Sequence, residues 1–133
     1  MTIKQFLLMN CNGLLNIKVN GDIMKYLITE QERKNIHSTC FFEFQEGQNN
    51  KKYKYVFWKE NSLLLHDDLF NESELYKIIP DLKYYAETIV NKENWNIIKN
   101  AEKSQLAQDI IDELSVWVEE NFKKFDYFVI LGI

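Results

Sequence analysis

Between Ser104 and Phe122, the residues Leu106, Ala107, Ile110, Ile111, Leu114, Trp117, Val118 and Phe122 recur at three- and four-residue intervals. They form one apolar stripe over about four to five helical turns. A helix with a single dry face is stable only when that face lies against another apolar surface. The rest of the chain must supply that surface, and the segments before it are β-prone. Helix laid on sheet is therefore the expected arrangement, an α+β fold in which a mainly antiparallel sheet of five or six strands packs against C-terminal helices.

The strand signals begin early. Ile3 to Met9 and Leu14 to Val19 flank Asn12-Gly13, the dipeptide best suited to a tight hairpin turn, and Asn20-Gly21 then turns the chain into a third expected strand, Ile23 to Ile28. Thr29 and Glu32 have capping-box spacing and predict a short helix. Ser38 to Phe44 and Tyr53 to Lys59 are rich in aromatic and β-branched residues and read as a hairpin across the polar stretch 46–52, followed by a short strand from Ser62 to His66. Next, Leu75, Ile78, Ile79, Leu82, Tyr85, Ala86 and Ile89 recur at helical spacing behind the cap-like pair Asn71 and Glu74, with Pro80 demanding a kink or a junction of two helices. The five residues Tyr127 to Leu131 show no alternation and predict a strand buried on both faces.

The whole length, 133 residues, suits one domain, and a single proline and four glycines mark no linker at which to divide it. With 46% hydrophobic and 14% aromatic residues the chain can build a core without staples. Cys11 and Cys40 have no paired spacing and are expected as reduced thiols. Lys4 and Gln5 precede an apolar run of only four residues, so no secretory leader is expected, and the longest apolar stretch falls far short of the ~20 residues of a membrane span. A cytoplasmic protein that does not engage membranes follows as the expectation.

Charge is unevenly placed. The formal net charge is −4. Residues 1–59 carry nine Lys and Arg against five acids, and residues 60–133 carry seven against fifteen. Duplex binding by phosphate neutralisation needs the opposite balance. The cation-aromatic run Lys51-Lys52-Tyr53-Lys54-Tyr55 is better read as a hairpin loop than as a base-stacking platform, and no direct contact with nucleic acid is expected.

No nucleophile with a base beside it, no metal-ligand spacing and no glycine-rich phosphate cradle is present, so neither cofactor nor metal is expected. His37 and Cys40 lack a second ligand pair. His66, Asp67 and Asp68 could supply a base and two carboxylates for metal-assisted hydrolysis, the enzymatic alternative; acids between a strand and a helix are also ordinary helix-start residues. Opposite the apolar stripe lie Asp109, Asp112, Glu113, Val116, Glu119 and Glu120. Like charges at these intervals repel by roughly a few tenths of a kcal/mol per pair, a cost that a cationic partner relieves. These six, with Asp67 and Asp68, are the candidate partner-binding residues.

In size, acidity and lack of catalytic motifs the chain is similar to bacterial immunity proteins of contact-dependent inhibition and related polymorphic toxin systems. Phage-encoded antagonists of host defence proteins have the same general appearance. The resemblance rests on no motif, so no residue role is transferred by position. It implies a cytoplasmic, non-enzymatic inhibitor that forms a one-to-one complex with a cognate toxin domain, often a nuclease whose basic cleft an acidic surface covers.

Overall fold

The computed structural model describes residues 18–19, 22–49 and 55–133. The expected hairpin strand Ile3 to Met9, its Asn12-Gly13 turn and most of Leu14 to Val19 lie outside them. Two short strands, β1 (Lys18–Val19) and β2 (Asp22–Ile23), pair antiparallel on either side of Asn20-Gly21. Then come β3 (Leu27–Thr29), α1 (Glu30–Ile36), β4 (Phe41–Glu46), β5 (Leu63–His66) and α2 (Asp67–Glu72). A 3-10 turn at Leu75–Lys77 leads through further turns to β6 (Glu87–Asn91), α3 (Lys92–Asn100), α4 (Gln105–Phe122) and β7 (Tyr127–Leu131). Five strands form one fully antiparallel sheet in the order β3-β5-β4-β7-β6.

The two faces of this sheet differ. Leu27, Phe42, Phe44, Leu63, Leu65, Val90, Phe128 and Ile130 alternate onto one face and meet Leu69 and Phe70 of α2, Trp95 and Ile98 of α3 and Ala107, Ile110, Ile111, Leu114 and Val118 of α4 in the main core. On the other face Ile28, Phe41 and Leu64 form a small cluster under Ile36 of α1 and Trp58. β7 is internal, paired to β4 and β6, and its residues from Phe128 to Leu131 are all buried, as its unbroken apolar run predicts.

Local chemistry sets the helix starts. Thr29 Oγ1 accepts from the Glu32 amide at 3.2 Å while the Glu32 carboxylate accepts from the Thr29 amide at 3.2 Å, the expected capping box. Ser104 Oγ accepts from the Ala107 amide at 3.1 Å and starts α4. Asn91 and Asn94 form a second reciprocal box at the start of α3, a helix that sequence reasoning passed over.

Three expectations are corrected. The strand expected at Ile23 to Ile28 is broken at residues 24–26, where the main chain bends before β3. Tyr55 to Lys59, the described part of an expected strand, stays outside the sheet. Glu43 of β4, with 0% exposure, draws this segment over the second face: its carboxylate accepts from the amides of Trp58 and Lys59, each at 2.8 Å, and from the Ser62 hydroxyl at 2.6 Å. Trp58 is held there at a φ of 69°, with the Arg33 guanidinium 3.9 Å above its ring. Finally, the helical spacing read from Leu75 to Ile89 does not produce a helix. Leu75 and Ile79 anchor irregular turns in the core, and Thr88, Ile89 and Val90 go instead to β6 opposite Ile130, Val129 and Phe128.

Candidate functional site

The buried stripe of α4 leaves a long outer side, and the structure sorts its expected binding residues into three groups. Asp109 and Asp112 point outward and, among the described residues, accept only from neutral neighbours one turn earlier, Gln105 Nε2 at 2.9 Å and Gln108 Nε2 at 2.8 Å. Val116, 44% exposed, and Glu119 continue the same side. Among the described residues, the ion pairs formed by Lys and Arg are Arg33 with Glu30, Lys77 with Glu74 and Lys123 with Glu120, so Asp109, Asp112 and Glu119 take part in none.

Glu120 is answered within the molecule. Its carboxylate lies 2.7 Å from Lys123 Nζ, and that hydrogen-bonded contact lowers the glutamate pKa and raises the lysine's. Glu113 is turned away from the acid row altogether. It accepts from three consecutive amides, Lys25 at 3.0 Å, Tyr26 at 3.0 Å and Leu27 at 2.8 Å, and so tethers the chain entering β3 to α4. The acids of this side that take part in no ion pair among the described residues are therefore Asp109, Asp112 and Glu119, with Val116 among them.

Glu119 also borders a shallow cleft of about 340 Å³ between α3 and α4, which contains Lys92, Lys99 and Lys123 and is floored by Trp95 and Phe122. Trp95 is buried in the main core. Trp117 is partly buried against the same core and donates its indole N–H to the Asn61 carbonyl at 3.0 Å, fixing the turn before β5.

At the end of β5, His66, Asp67 and Asp68 bring one ligand atom each to within 4.8 Å of one another. His66 serves as the N-cap of α2: its Nδ1 accepts from the Asp68 amide at 3.1 Å. Asp67 donates its amide to the Cys40 carbonyl at 3.0 Å, and burial, then the neighbouring Asp68 charge, raise its carboxyl pKa. The two carboxylates and the second imidazole nitrogen are the groups with which this corner could hold a divalent cation. Among the described residues, no hydrogen bond or ion pair joins this corner to the acid row of α4. Cys40 is exposed with a free thiol.

A groove beside β6 was not foreseen. It measures about 630 Å³ and is bordered by Tyr55, Phe57, Lys83, Tyr85, Glu87 and Ile89. The α1 helix and the segment held by Glu43 cover the second sheet face at Ile28, Phe41 and Leu64 of β3, β4 and β5, whereas Ile89 of β6 is 59% exposed, with Tyr85 at 80% and Phe57 at 53%. The β-branched triplet Thr88-Ile89-Val90, flanked by polar Glu87 and Asn91, was the available signal for a strand here. The Tyr55 hydroxyl lies 3.0 Å from that of Tyr127, and burial, then this hydrogen bond, raise its pKa.

No helix among the described residues is long and apolar enough to cross a membrane. Comparison of the chain with protein-family models, with curated proteins and with solved structures finds no match.

Proposed function

We propose that this protein is a non-enzymatic inhibitor of the immunity type, which binds a cognate toxin domain through an acidic surface and covers the toxin's cationic working face. The observation that carries the reading is the row Asp109, Asp112 and Glu119 on the outer side of α4, in no ion pair among the described residues, with Val116 exposed in its midst. Carboxylates arrayed around one apolar side chain suit a partner whose Lys and Arg surround an apolar spot, such as a nuclease cleft shaped to hold phosphates. The excess of acids over bases in residues 60–133 adds long-range attraction to the same end.

The test is co-expression with the product of the adjacent upstream gene, scored by growth rescue and by a purified one-to-one complex. Reversing two charges together, Asp112→Lys with Glu119→Lys, should lower the association rate about tenfold at low salt and flatten its salt dependence. Absence of both complex and rescue, or a double variant with unchanged rate and salt slope, defeats the proposal.

The close approach of His66, Asp67 and Asp68 favours a second reading, metal-assisted phosphoester hydrolysis. Here purified protein with added Mg²⁺ or Mn²⁺ would cleave a phosphodiester, and His66→Ala or Asp68→Ala would abolish cleavage. Lack of turnover by the unaltered protein removes it.

A further inference from the structure

Among the described strands β6 ends the sheet, and its hydrogen-bonding polarity is fixed by one contact. The Gly132 amide donates to the Ala86 carbonyl at 3.0 Å, in line with the register that opposes Glu87 to Leu131 and Thr88 to Ile130. In an antiparallel ladder, residues directly opposite one another alternate between bonded and non-bonded pairs. Thr88 and Val90, with the carbonyl of Ala86, therefore face β7, the Ala86 amide donating instead to the Lys83 carbonyl at 3.3 Å, and Glu87, Ile89 and Asn91 direct their main-chain groups away from β7. Asn91 spends its amide on the Asn94 side chain at 3.1 Å. Glu87 and Ile89 remain, two exposed residues whose amides and carbonyls meet no partner among the described residues.

We propose that a second copy of this chain pairs along this edge, β6 antiparallel to β6, joining two five-stranded sheets into one. The edge is its own complement, because the same two residues offer equal numbers of donors and acceptors. Charge and hydrogen bonding together select the register. A two-fold axis at Glu87 would set two carboxylates directly opposite each other, which is destabilising. An axis at Ile89 would oppose Glu87 to Asn91, whose amide is already engaged. An axis at Thr88 sets Glu87 against Ile89 of the second copy, and Ala86 against Val90. It joins all the unpaired groups in about four main-chain hydrogen bonds and brings no like charges face to face.

The side chains agree with this pairing. Val56, Phe57, Tyr85 and Ile89 are four of the large apolar residues most exposed to solvent, and Phe57, Tyr85 and Ile89 line the groove beside the edge. The two-fold brings this apolar surface of one copy beside that of the other, and clustered exposed apolar area marks an association surface. Pairing here leaves the acid row of α4 uncovered, so the proposal stands or falls apart from the inhibitor reading.

Sedimentation equilibrium of the full chain over a range of concentrations should show a monomer-dimer equilibrium. Amide exchange measured by NMR should show the Glu87 and Ile89 amides gaining protection as concentration rises. Because the Ile89 amide meets no internal acceptor, Ile89→Pro keeps the fold, as proline is tolerated on an edge strand, and should be monomeric at every concentration tested. Ile89→Lys, which keeps the amide but places charge on the groove, should weaken the dimer at least tenfold. A wild-type protein that is monomeric throughout overturns the proposal. So does a dimer that survives both substitutions, or one whose formation leaves the Glu87 and Ile89 amides exchanging as fast as before.

Discussion

Replacing Glu113 by alanine should separate it sharply from the acids beside it. The substitution strips the acceptor from three amides, those of Lys25, Tyr26 and Leu27. A hydrogen bond to a charged group contributes about 1.5–3 kcal/mol when well shielded, and a buried donor left without a partner costs about 1–3 kcal/mol. The Lys25 amide is exposed and water replaces its acceptor, so it adds little. The Tyr26 and Leu27 bonds are partly buried, and both use the same carboxylate oxygen. Discounting for the half-exposed carboxylate gives a loss of about 2–3 kcal/mol for Glu113→Ala. Glu113→Gln keeps one carbonyl oxygen for that pair and loses the Lys25 bond, so it should cost about 1 kcal/mol. Asp109→Ala and Asp112→Ala, whose acceptors serve only exposed side-chain amides, should stay within about 0.5 kcal/mol of the starting protein. Urea unfolding followed by circular dichroism measures all four, the midpoint falling at unchanged slope if only stability has changed. A Glu113→Ala variant as stable as Asp112→Ala would refute the tether.

The same procedure should give about 3 kcal/mol for Glu43→Ala, which orphans the Trp58 and Lys59 amides and the Ser62 hydroxyl, with a red shift of tryptophan fluorescence as Trp58 loosens. A variant unchanged in both stability and emission contradicts the role given to this carboxylate. Asp67 should titrate above the ordinary aspartate range in carbon-detected NMR, and Asp68→Asn should bring it down while leaving the part due to burial. The sign for stability follows from proton binding: the folded state holds this proton more tightly than the unfolded one. The penalty is therefore complete above the folded-state pKa and fades as pH falls through it toward the ordinary aspartate value; an Asp67 midpoint at or below that value would be the contrary result. Gly132→Ala should cost about 1–3 kcal/mol by overpacking, since a Cβ there would meet the Tyr84 carbonyl, and a fully stable alanine variant would show that this crossing is looser than the structure has it.

How far these features could be read beforehand depended on whether their causes were local. The α4 stripe repeats its period five times within one segment, and Tyr127 to Leu131 is apolar without interruption; each carries its own evidence. The stretch from Leu75 to Ile89 carries a misleading one. Its helical spacing is genuine, but Pro80 denies the helix an amide, and pairing with β7 binds Thr88 and Val90 more firmly than a solvated helix could. Tyr55 to Lys59 alternates like a strand and is diverted by a single carboxylate on β4. The acid row was visible as spacing along α4. That Glu113 does not belong to it was not, because its partners are amides 86 to 88 positions away and an amide has no residue type. The open edge of β6 was hidden for the same reason, being a matter of sheet order.

The place of β7 bears on how the protein comes into being on the ribosome. Among the described strands β6 meets the sheet only through β7, and β4 has β7 as its neighbour on that side. Translation delivers Tyr127 to Leu131 after the other four strands of this sheet, and at about 5–20 residues per second the nascent chain waits for seconds with two strands lacking the one that unites them. The last of these five strands to be made is thus the keystone of the sheet, and a ribosome that stalls shortly before it would hold out an unpaired β6 and one bare edge of β4 for chaperones or proteases to find.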